Sequence, residues 1–174
     1  MDLSPASRDP MRPPASLALL LGSFVVAFLI NLLPWSGTWL LVRPDIVLLV
    51  LLYWAVHEPH AIGQGWGFAL GLLMDVADSV LLGQHAFVYA AAIFLVQLLR
   101  FRMLQMNVFE RALHALAILV VAQVISLALN ASLGRPFTGW LVFIAPLFTA
   151  ILWPAVDKLA RSTALNRRSG RIIS

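Results

Sequence analysis

Residues 43–86, RPDIVLLVLLYWAVHEPHAIGQGWGFALGLLMDVADSVLLGQHA, hold two apolar runs divided by one polar turn. The first run, Ile46–Val56, carries no charge. At about 1.5 Å of rise per residue it is too short to cross about 30 Å of hydrocarbon unaided. Either its helix starts near Trp39 and breaks at Pro44, or it is short with an interfacial lead-in. Pro44 suits a helix start, because the N–H it lacks would be unsatisfied there anyway. His57-Glu58-Pro59-His60 is a tight polar turn, Ala61–Val76 reads as the next helix, and Asp75–Gln84 as an acidic, glycine-containing connection.

Outward from this stretch the alternation continues. Leu17–Leu33 is an apolar run ended by Pro34-Trp35. His85–Leu99 is closed by Arg100 and Arg102, and a hinge with Asn107 and Glu110 leads into Ala112–Leu133. Gly134-Arg135-Pro136 turns the chain into Phe137–Leu159, where Pro146 and Pro154 are the expected kinks. The 174 residues are 61% hydrophobic and only 11% charged, with mean hydropathy +0.89. A soluble domain carries roughly 45–50% apolar and about 25% charged residues, so polar side chains here cannot coat a globule. The expectation is an all-α membrane protein: one polytopic domain over 1–174, a bundle of about six transmembrane helices, with a polar leader at 1–14 and a basic tail at 160–174. Leu17–Leu33 is longer than a signal-peptide core and no A-x-A-like site follows, so the leader is expected to be retained.

The composition also limits the chemistry. Without cysteine there is no disulfide, thiolate metal site, iron–sulfur cluster or thiol nucleophile. The isoelectric point near 10.7 reflects basic residues at helix ends and in the tail. That distribution fits membrane topology and anionic lipid headgroups better than nucleic acid. Arg100, Arg102 and Arg111 mark one connection, and Lys158, Arg161, Arg167, Arg168 and Arg171 mark the tail. Two helices separate these groups, so both lie on one side, which the positive-inside rule makes cytoplasmic. Six crossings then put both termini inside. Arg135 is the one dissenting charge.

Gly63, Gly67, Gly71 and Asp75 recur every four residues and so share one helix face. Glycines let backbones approach closely, which is how helices associate within lipid. The stripe either packs inside the bundle or docks a partner's helix. Asp75 and Asp78 lie on one segment with no G-x-G-D before either, unlike the paired carboxylates of an intramembrane aspartyl protease. The acidic spacing of alcohol phosphatidyltransferases is absent too. His57 and His60 have Pro59 between them and no further ligands, so the turn is read as solvated and no metal or cofactor is expected. Arg43 and Asp45 either pair with each other, or Asp45 caps the following helix; with Pro44 they are also the place expected for a partner if the glycine stripe packs internally. Gln123, Ser126 and Asn130 share a face that orients helices or lines a small-ligand site.

Taken in order, Arg43-Pro44-Asp45, IVLLVLLYW at 46–54, Pro59-His60, GWGFALGLLMD at 65–75 and LGQHA at 82–86 resemble the rod shape-determining protein MreD family. Leu33-Pro34-Trp35 and Leu152-Trp153-Pro154 are similar to it as well. The resemblance implies a non-enzymatic inner-membrane subunit of the wall-elongation machinery. It also implies partnership with MreC, a bitopic periplasmic scaffold, and indirectly with the actin-like MreB, with RodA and with RodA's penicillin-binding transpeptidase. Contact with that cytoplasmic filament is the alternative to lipid headgroups for Lys158, Arg161, Arg167, Arg168 and Arg171. The family fold is similar to the substrate-binding subunits of vitamin uptake transporters, which gives small-molecule uptake as the alternative function.

Overall fold

The computed structural model describes residues 16–34 and 36–170, and every regular element among them is helical. The α-helices are α1 (Leu17–Asn31), α2 (Ile46–His57), α3 (Gln64–Ala77), α4 (Gln84–Gln105), α5 (Val108–Ser132), α6 (Ile144–Ile151) and α7 (Trp153–Gly170). Short 3-10 turns at Gly37–Val42 and Trp140–Phe143 lead into α2 and α6. Trp140–Ala160 runs as one broken rod across Leu152, so the bundle has six rods. Four segments among the described residues are long and apolar enough to cross a membrane: Trp39–His57, Gln84–Gln105, Val108–Ser132 and Trp140–Ala160.

Local chemistry sets the boundaries. The Ser16 side chain accepts from Leu19 N to start α1, and Asn107 with Glu110 forms a capping box at the start of α5. The expected hinge at Asn107 is therefore a helix start. Arg100 and Arg102 fall inside α4, which runs six residues past the expected end at Leu99. Pro146 sits in the first turn of α6, where a missing N–H breaks no bond, and the rod breaks at Leu152 just before Pro154. Only one of the two expected proline kinks is a break within the rod.

The short second helix occupies the centre. Every residue of α2 from Val47 to Val56 is buried, against α1, α4, α6 and α7. A helix apolar on all sides belongs within protein, and one surrounded by protein need not match the bilayer by itself. Both alternatives for its start hold in part: Asp45 begins a short helix, and the turn from Gly37 is its lead-in. Helix α3, although in the middle of the chain, is peripheral. It packs on α4, stacks Trp66 on Phe24 of α1, and exposes Phe68, Leu73 and Val76 outward.

The rods sort polar residues to two ends. Asp45, Asp75 and Asp78 gather at one, called here the acidic end, with Arg43. At the opposite, basic end Arg100 donates from Nε to Val56 O at 2.9 Å, and Arg111 donates to Met103 O and Leu104 O. Exposed Trp39 and Trp140 flank the acidic end, and exposed Phe101 and Phe109 the basic end, as amphipathic and aromatic rims do at bilayer surfaces.

Candidate functional site

Asp45 ties four rods together. Its Oδ1 accepts from Leu48 N at 2.9 Å, capping α2, and from Asn31 Nδ2 at 3.2 Å. Its Oδ2 accepts the Tyr89 hydroxyl at 2.7 Å, and its own N–H donates to Thr149 Oγ1 at 3.0 Å. Asn31, buried at the end of α1, also accepts from Ile46 N at 3.1 Å. Of the two alternatives for this residue, capping is the one realised. Arg43 pairs instead with Asp78, Nη2 to Oδ2 at 2.7 Å, and donates from Nη1 to Asn31 O. Pro44 between them has no N–H to satisfy and starts the turn into α2.

Asp75 does for α4 what Asp45 does for α2, but from a neighbouring helix. Gly83 precedes α4 with φ +100°, a left-handed conformation suited to glycine, and brings no capping side chain. The buried Asp75 carboxylate fills that place: Gly83 N donates to Oδ2 and His85 N to Oδ1, each at 2.7 Å. The His85 ring Nδ1 lies 3.0 Å from the same Oδ1, and its Nε2 lies 3.7 Å from Asp78. Carboxylates at a helix N-terminus satisfy free N–H groups and oppose the dipole. The acidic pair thus holds α3, α4 and the Arg43 segment together.

The glycine stripe divides in two. A Cβ on Gly71 would collide with the backbone of Ala86 and His85, and one on Gly67 would meet Ile93 Cδ1 at 2.7 Å and the Tyr89 backbone at 3.1 Å. These two glycines let α3 and α4 pack backbone to backbone. Gly63 lies outside the helix as its N-terminal boundary and faces open space, as Gly65 does. Lys158 is exposed on α7; the side chains of Arg161, Arg167 and Arg168, together with Arg171, lie outside the described residues.

A cavity of about 360 Å³ opens at the acidic end among α2, α4, α5 and α6. Arg43, Asp45, His85 and Tyr89 form one wall, already bonded as described, and Gln123, Ser126 and Asn130 of α5 form the other. The shared face of those three residues therefore lines a cavity. The two 3-10 turns stand at its mouth through Leu40, Leu41 and Val142. The sequence reading missed Asn31, Tyr89 and Thr149, isolated polar groups within apolar stretches of α1, α4 and α6. The signal available was their rarity at membrane depth, where unpaired polar groups are costly.

The sequence model of the rod shape-determining protein MreD family matches residues 15–163, nearly all of the described chain. The chain belongs to the MreD family. A relative, the rod shape-determining protein MreD of Haemophilus influenzae, is 28% identical over 142 residues, covering 82% of this chain and 88% of the relative. No solved structure matches. The match takes in all of the rods up to the start of the basic tail, so the cavity and the Asp45 and Asp75 networks lie within the family's extent.

Proposed function

We propose that this MreD-family chain is a non-enzymatic scaffold in the bacterial inner membrane, holding MreC at the acidic end and acting through it on wall elongation. The observation that carries this is the cavity at that end. Its polar wall is bonded from within by Arg43–Asp78, Tyr89–Asp45 and His85–Asp75, so it is preorganised and its shape is fixed before anything arrives. Its α5 wall offers Gln123 and Ser126 to a guest. On this reading both termini lie in the cytoplasm and the acidic end in the periplasm, which the collection of Arg100, Arg102, Arg111 and Lys158 at the other end supports. MreC, with one membrane helix and a periplasmic body, reaches the cavity from that side, while MreB, RodA and its penicillin-binding transpeptidase are engaged indirectly. The tail residues Arg161, Arg167, Arg168 and Arg171 rest against anionic lipid headgroups, at up to about 1 kcal/mol each.

The test is co-purification of MreC with cavity-filling variants. Thr138→Trp at the exposed rim and Ser126→Phe on the α5 wall should keep the protein folded in detergent while MreC is lost. Wild-type recovery of MreC by both variants overturns this reading. A small molecule retained through purification and seen by native mass spectrometry would favour the uptake alternative, since the same cavity would then be a ligand site.

A further inference from the structure

Helix α3 is too short for the bilayer on the side it faces, and its register on α4 shows where the deficit lies. Gly71 packs on His85–Ala86 and Gly67 on Tyr89–Ile93, so the helices run antiparallel with equal steps. Gly63, where α3 begins, then falls opposite about residue 94 of α4, which continues to Gln105, some 16 Å farther at about 1.5 Å per residue. Helix α2 supplies a second ruler. Asp45 bonds Tyr89 and Val56 bonds Arg100, so α2 runs parallel to α4 and ends level with Arg100. From His57 the chain climbs back about 10 Å before α3 starts. The height from Gln64 to Asp78 is about 21 Å, against about 30 Å of hydrocarbon in a typical bilayer.

The groups at the start of α3 cannot rest in lipid tails. The first N–H groups of an α-helix lack internal partners, and Gly63 brings no capping side chain. Gln64 and His60 are exposed, and the space around Gly63 and Gly65 is open. At the same height α4 exposes Phe94 and, nearer the basic end, Leu98, which belong in hydrocarbon. A short span can be met by snorkelling flanks, by association or by a thinned bilayer. Gly63, Gln64 and Gly65 are too short to snorkel, and a covering neighbour would bury Gln64 in an apolar contact.

We propose that the bilayer is thinned beside α3, with the headgroup layer of the leaflet at the basic end drawn about 10 Å toward the membrane centre. The partner of this surface is the lipid headgroup layer itself. Proteins with similarly short spans are drawn to such a collar, because association removes deformed lipid. This inference stands apart from the cavity and from MreC.

The chain has no cysteine, so single-cysteine variants report depth cleanly. In proteoliposomes of dioleoylphosphatidylcholine, Gln64→Cys should react with a water-soluble methanethiosulfonate reagent within about tenfold of the rate of His60→Cys. Phe94→Cys, at the same height on α4, should react at least about a hundredfold more slowly. Equal, slow reaction at positions 64 and 94 overturns the proposal. In the second measurement the intact protein is reconstituted into bilayers from dimyristoleoyl- to dierucoylphosphatidylcholine. Its melting midpoint should peak in the thinner bilayers and fall by about 5 °C in the thickest. The variant Gly63→Leu/Gln64→Leu/Gly65→Leu, whose added side chains at 63 and 65 meet open space, should move that peak toward thicker bilayers. A wild-type peak in dioleoyl or longer lipid, or an unshifted variant peak, also overturns it.

Discussion

Asp75 and Asp45 show one residue type doing the same task by different routes. Asp45 caps its own helix, an arrangement local enough to read from Pro44-Asp45 before an apolar run. Asp75 caps α4 from eight residues upstream of Gly83, and only the folded turn brings it there. Asp75→Asn keeps the shape but loses the charge and points an amide group at N–H donors. Two charge-assisted bonds weaken, so unfolding in detergent should cost about 2–3 kcal/mol less than in wild type. A melting midpoint unchanged by Asp75→Asn would show that the cap does not hold α4. Tyr89→Phe removes only the hydroxyl that donates to Asp45 Oδ2. It should destabilise by about 1–3 kcal/mol and, by freeing the Asp45 wall, weaken MreC retention in the same co-purification.

At the scale of elements, the glycine periodicity was legible and its meaning was not. A spacing of four places Gly63, Gly67 and Gly71 on one face, yet the helix begins after Gly63. What separates the positions is the neighbour each one meets. Gly71 faces backbone, which cannot yield, whereas the closest atom to Gly67 is the end of the flexible Ile93 side chain. Gly71→Ala should therefore abolish stable expression, and Gly67→Ala should lower the melting midpoint without preventing folding. Gly65→Ala should be neutral or stabilising by up to about 1 kcal/mol, as alanine favours helix over glycine. Equal effects at the three positions, measured by thermal unfolding in one detergent, would contradict the observed packing. Gly67→Leu should lower stability, expression and MreC binding together, because the stripe at Gly67 and Gly71 is internal.

For the whole molecule, charge placement gives orientation and packing gives shape. With Arg100, Arg102, Arg111 and Lys158 at one end and Asp45, Asp75 and Asp78 at the other, six rods leave the start of α1 and the described part of α7 beside the basic end. A reporter fused after Ser174 should read cytoplasmic, and one fused after Gln84 periplasmic. The opposite pair of readings would turn the bundle over and put the cavity on the cytoplasmic side. The order of enclosure departs from chain order. The bundle surrounds α2, whose neighbours α1, α4, α6 and α7 come from both halves of the chain, and leaves α3 at the edge. In lipid there is no hydrophobic drive between helices, so close packing and polar bonds decide which rod is enclosed.

Composition and apolar run length by themselves determined the solvent, the helical class and the number of rods. These follow from transfer free energies and from rise per residue, which act on each segment separately. Order along 43–86 was also enough to indicate the family. The long-range partners of Asp45 were decided only by the tertiary structure, because Asn31, Tyr89 and Thr149 stand on other rods. Those of Asp75 and Arg43 were decided by the folded turns that bring Gly83, His85 and Asp78 to them. The same holds for the cavity behind Gln123, Ser126 and Asn130, whose shared face is compatible with helix contact or with a void. A face is a property of one helix, whereas what lies against it depends on where the other rods stand.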